Sequence, residues 1–162
     1  MRTLRLLLAS VASCAAFAPT APRTPVDRAH ELDAKCTGFV DANAARTLSP
    51  DVVDAVEPAY ARIKGGPNGF DARLRGARIR MQPLSHATSE TIQRTLACHQ
   101  AGVLVGREPP LADDPYAAAD KWLDIGVVSE GDGFAVLVET SDSDTARAVL
   151  ERAKRFAANR AR

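Results

Sequence analysis

Three cysteines and three histidines carry most of the chemistry in this 162-residue chain: Cys14, Cys36, Cys98, His30, His86 and His99. Thiolate and imidazole are ligands for zinc and copper, and together they also make a nucleophile and its base. Cys98-His99 sets the two side by side, but consecutive helix residues point about 100° apart, since 3.6 residues make a turn. His99 falls on the apolar stripe of Ile92, Leu96 and Val103, while Cys98 projects to the side. The expected state of His99 is a core histidine bonded to a backbone carbonyl, with metal ligation as the alternative. His30 lies opposite Leu32 and Cys36 on a predicted helix, and His86 lies in the loop before another. Neither belongs to a CxxC, HxxxH or CxxCH pattern. A closed metal site needs three or four convergent ligands, so His30, His86 and His99 are metal candidates only through tertiary convergence.

Cys14 belongs to a different pattern. Arg2 and Arg5 precede an apolar run, Leu6 to Ala12, that ends in small residues, which is the three-part layout of a secretory signal peptide. A membrane-spanning helix needs about 20 apolar residues, and Pro19, Pro22 and Arg23 interrupt this one first. Val11-Ala12-Ser13-Cys14 resembles the lipobox of bacterial lipoproteins. The resemblance implies a signal peptide over 1–13, lipidation of Cys14 as the new N-terminus, and a lipid anchor to a membrane of the bacterial cell envelope, on its periplasmic or surface side. Two alternatives stay open. One is an ordinary cut after Ala15, where Ser13 and Ala15 supply a small-x-small pattern and yield a soluble secreted or periplasmic protein. The other is an apolar N-terminus that is not a signal.

If Cys14 is lipidated or removed, Cys36 and Cys98 remain as an even pair, and an oxidising compartment favours joining them. Such a bridge closes a loop of about 60 residues, valued at about 4 kcal/mol by the chain-entropy model. The alternative is two buried, unpaired thiols acting as small hydrophobes.

Charge narrows the partners. The chain has 21 Lys+Arg and 20 Asp+Glu, and loss of residues 1–13 leaves 19 against 20, a formal charge of −1. No global field for nucleic acid remains. In RLRGARIR (73–80), Arg78 and Arg80 share the outer face of a predicted strand, as an anion or lipid-headgroup patch or simply as a solvated face that blunts edge pairing. EGDGF (130–134) lacks the Lys-Ser/Thr of a phosphate loop and the spaced acids of a calcium loop, and reads as a hairpin turn. Asp113, Asp114, Asp120 and Asp124 are expected as helix caps and linker solubility. No GxSxG and no Ser-His-Asp arrangement is present, so no catalytic residue and no cofactor is assigned.

The elements that must position these residues begin after an Ala/Pro-rich tether over 14–23. Thr24-Pro25-Val26-Asp27 starts a helix with Ala29, Leu32, Cys36 and Phe39 on one face. Ser49-Pro50-Asp51 repeats that logic ahead of Val53, Val56, Tyr60 and Ile63, which predicts two short helical pieces divided by Pro58. A helical N-terminal part over 24–64 is therefore expected, then a glycine-rich loop over 65–75. A βαββα domain follows over 76–158, with a tail over 159–162. Its parts are a strand over 77–82 and a helix from Thr88 to about Val103. A proline-punctuated linker over 107–120 carries one helical turn after Asp114-Pro115. A β-hairpin with strands near 123–127 and 134–138 and a last helix from Ser141–Ser143 complete it. The fold class is α+β, with N-terminal helices before a βαββα unit built on a small three-stranded sheet.

RTLACH (94–99), the hairpin and SDSDTARAVLERA (141–153) are similar to uncharacterised bacterial secreted proteins, over the C-terminal half only. That resemblance implies no activity. The functional expectation is an exported, lipid-anchored, non-catalytic envelope protein that binds an envelope protein or small ligand. The alternative is a periplasmic metal-binding protein using His99 with His86, His30 or a cysteine.

Overall fold

The computed structural model describes residues 24–64 and 70–160. Cys14, the expected signal peptide, the tether and residues 65–69 of the expected loop lie outside the described residues. Helix α1 spans Pro25–Cys36 and starts on a reciprocal cap. Asp27 N donates to Thr24 Oγ1 at 3.1 Å, and Thr24 N donates to the Asp27 carboxylate at 3.0 Å. A single-turn helix α2, Ala44–Thr47, and a 3-10 turn, Pro50–Val52, lead into strands β1, Val53–Lys64, and β2, Phe70–Met81. Helix α3 spans Ser89–Leu104, strands β3 and β4 span Asp124–Glu130 and Gly133–Glu139, and helix α4 spans Ser143–Ala158. Thr88 and Asp142 cap α3 and α4 through their side-chain oxygens.

The sheet has four strands, not the expected three, in the order β1-β2-β4-β3 with every neighbouring pair antiparallel. The added strand is β1, which replaces the two helical pieces expected around Pro58. After the first helices the order is therefore ββαββα. The helical spacing of Val53 and Val56 has a strand explanation. A register shift sets Val53 opposite Met81 but Ala55 opposite Arg80, so the extra residue Asp54 intervenes. Val53 and Val56, which pairs with Ile79, thus reach the same face although three positions apart. Pro58 is tolerated because β1 is an edge strand, with a ladder on one side only.

Two ββα units are visible in this order, β1-β2-α3 and β3-β4-α4. Their second strands pair at the middle of the sheet, with Ile79 opposite Val136. Each helix packs over the other unit's hairpin: α3 lies against β3, and α4 against β2 and β1. One apolar core results on one face of the sheet, from Ile79, Val136 and Val138 below to Ile92 and Leu96 of α3 and Val149 and Phe156 of α4 above. The β3–β4 turn is the two-residue Gly131-Asp132, with Gly131 at φ 59, as EGDGF predicts.

At the β2 bulge, Ala59 pairs with Gly76 but Tyr60 with Leu74. Gly76 has φ 148, and a Cβ there would stand 2.0 Å from the Val138 carbonyl oxygen. The close approach of β4 backbone thus requires glycine. Gly76→Ala is expected to destabilise the fold by at least about 2 kcal/mol, read as the loss in urea-unfolding free energy. A change under about 0.5 kcal/mol would contradict this account of the bulge.

Candidate functional site

Helix α3 brings a group of buried polar side chains together through His99 and Gln100. His99, 4% exposed, meets Glu108 Oε2 from Nδ1 at 3.0 Å and Asp114 Oδ2 from Nε2 at 2.8 Å. Both partners are carboxylates, not the backbone carbonyl expected from sequence. A neutral imidazole donates from one nitrogen only, so two acceptors call for the imidazolium. Burial alone lowers the imidazole pKa, but the hydrogen bond and charge of Asp114, then those of Glu108, outweigh it and raise the pKa above its ordinary value.

Asp114 is itself 3% exposed and organises the residues around it. Its Oδ1 accepts from Tyr116 N at 2.9 Å, and its Oδ2 also accepts from Leu111 N at 3.2 Å. Residues 107–120, expected as a proline-punctuated linker with one helical turn, form a strap without a helix whose middle, residues 114–118, is buried and whose ends are exposed. Asp114, Tyr116, Ala117 and Ala118 lose nearly all contact with solvent. The Tyr116 ring stands edge-on to Phe156 at 5.8 Å. Its hydroxyl is buried without a partner, and burial first, then Asp114, pushes its pKa up. Asp113, at φ 54, binds Arg155 Nε at 2.6 Å. The hydrogen bond from Arg155 holds this carboxyl below its ordinary range. The far end of the strap is fixed by Gln100, whose amide donates to Leu123 O at 3.1 Å and accepts from Leu123 N at 2.9 Å.

Beside His99 the chain is closed covalently. Cys36, the last residue of α1, and Cys98 of α3 form a disulfide with Cα atoms 5.8 Å apart. A cleft of about 170 Å³ runs past both cysteines, His99, Thr95 and Asp41, with Thr95 Oγ1 donating to Asp41 at 2.5 Å. Arg94 stacks over Phe39 at 4.3 Å.

The remaining predicted residues lie apart from this group. His30 is exposed on α1, and His86 is exposed in the loop between β2 and α3 with φ 60. Among the described residues no three His, Cys, Asp or Glu side chains converge as a metal site. Both sulfurs are committed to the disulfide, and both His99 nitrogens face carboxylates. Arg78 and Arg80 do share the outer face of β2, but Arg78 is paired with Glu130 at 2.7 Å and Glu57 at 3.3 Å, and Arg80 lies 3.7 Å from Glu57. Sequence reasoning missed Glu108, Asp114 and Gln100. One signal was present: a histidine on an apolar stripe needs buried partners, and acids stand 9 and 15 positions further on.

Compared with known proteins, the chain matches no family model, no curated protein and no solved structure.

The His99 arrangement gives stability a definite pH dependence. With a raised folded-state pKa, the contribution is complete below the unfolded imidazole value of about 6.5 and disappears as pH rises through the folded value. Urea unfolding of the wild type is expected to show falling stability on the alkaline side of about pH 6.5, and His99→Gln a flatter profile over the same range. A wild-type stability that climbs there would contradict the charged assignment. Asp114→Asn is expected to cost about 3–5 kcal/mol, because it leaves a buried cation short of its closest counter-charge.

Proposed function

We infer that this is an exported, lipid-anchored, non-catalytic envelope protein whose domain binds an envelope protein or a small ligand. The observation that carries the reading is the Cys36–Cys98 disulfide. Disulfides persist in oxidising compartments and are rare in reducing ones. This pairing also leaves Cys14 as the odd cysteine, placed where the lipobox-like Val11-Ala12-Ser13-Cys14 would make it an attachment point. An arrangement in which His99, Glu108 and Asp114 turn their hydrogen-bonding capacity onto one another and onto backbone favours holding a shape over attacking a substrate. Among the described residues no helix is long and apolar enough to cross a membrane, so attachment in this reading comes from the lipid on Cys14.

The test is expression of the full chain in a bacterial host with a fatty-acid label, followed by intact mass of the purified product. The expected species begins at Cys14, carries a diacylglyceryl group and shows no free thiol. Cys14→Ala should lose the label. A product beginning at Ala16 without lipid would replace the anchor with plain secretion, and one still beginning at Met1 with three reactive thiols would overturn the reading.

A further inference from the structure

Helix α1 stands outside the core that the rest of the chain closes. The buried apolar cluster runs from Val52 to Phe156 and includes no residue of α1. Within α1 only Ala29 is fully buried, while Val26 keeps 43% of its surface exposed. The helix packs chiefly on α3. Other ties to the domain include Arg107 Nε donating to Asp33 at 2.8 Å and Arg94 donating to Lys35 O at 3.1 Å. These lie at the surface, where ion pairs contribute little. Twelve residues also make a helix too short to persist alone in water. The strongest hold on α1 is therefore the disulfide at its last residue. Cys36 and Cys98 are both half-buried residues that line the cleft beside His99, and neither belongs to the buried apolar cluster.

We propose that the Cys36–Cys98 bond is a site of thiol–disulfide exchange, and that its reduction by a dithiol releases α1 from a domain that stays folded. One thiolate of the dithiol attacks one protein sulfur, forming a mixed disulfide and expelling the other cysteine as a thiolate. The second thiol of the donor, once deprotonated, attacks the donor's own sulfur in the mixed disulfide and frees the first cysteine. Two electrons pass to the protein, the donor ends as a disulfide, and Cys36 and Cys98 take up two protons as thiols. The ββα elements keep the apolar cluster that joins them, since no residue of α1 belongs to it, and only α3 gives up a packed face when α1 leaves.

Purified oxidised full chain is treated with dithiothreitol without denaturant, and samples are alkylated for mass analysis. Trp122, the single tryptophan, lines a groove with Arg28, Glu31, Leu32 and Lys35 of α1 and reports on the release of that helix. The expected result is alkylation of Cys36 and Cys98, a red shift of Trp122 emission, and slow hydrogen exchange retained in β2 and β4. Trypsin cleavage after Arg28 and Lys35 should accelerate by at least about tenfold, as a docked helix becomes an open one. Thiols that react only in denaturant would overturn the proposal. So would alkylation with unchanged cleavage of α1, or loss of protection in β2 and β4 on reduction. The Cys36→Ser/Cys98→Ser double variant should show fast cleavage of α1 with the sheet intact. A double variant that does not protect β2 and β4 counts against the proposal equally. The outcome is independent of export and of any lipid on Cys14.

Discussion

An imidazolium held between two carboxylates, out of contact with water, is the constraint on which the second half of the molecule depends. His99 fixes Glu108 and Asp114, and the next residue, Gln100, fixes Leu123 through both its backbone groups. Two consecutive residues of α3 thus pin both ends of the strap that crosses from one ββα unit to the other. The strap delivers β3 to the sheet edge, and β3 in turn carries β4 to its place beside β2. Such a group is stable only when complete. With both partners the charge is compensated, and with one removed a buried cation is left short of acceptors.

How much of this was legible in the sequence depended on whether the signal was local. Capping at Thr24 and Thr88, the alternation of Ala77, Ile79 and Met81, and the β3–β4 hairpin are set by residues a few positions apart, and each appears as expected. Strand β1 was not legible, because its register shift breaks the period of two and turns the spacing of Val53 and Val56 into a helical one. The first half of β2 was hidden for another reason. Asp71, Ala72 and Arg73 are exposed and bear no alternating burial, so only pairing with β1 defines them as strand.

The site divides along the same line. Parity of the cysteines pointed to Cys36–Cys98, and the helical stripe placed His99 inside. Its partners required knowledge of where the chain returns. From sequence Asp114 reads as a helix cap or a solvated acid, because Asp-rich, proline-punctuated segments are commonly exposed, yet no helix starts there and Pro115, Tyr116 and Ala117 make that stretch part of the interior. Arg78 and Arg80 illustrate the converse. Their shared face was predictable from strand alternation, while their neutralisation by Glu57 and Glu130 depended on strands β1 and β3 lying on either side of the central pair.

The exchange of helices between the two ββα units bears on how the chain reaches its fold. Hairpin β1–β2 is covered by α4, the last element, and not by the helix that follows it directly. During synthesis from the N-terminus, the apolar side of Ile79 and Met81 therefore waits for Val149, Ala153 and Phe156, some 70 residues later, before it is shielded from water. Neither unit owns a closed interior. The smallest piece of the chain that can close this core is consequently the stretch from Val52 to Phe156, and the core is complete only once the last helix has been made.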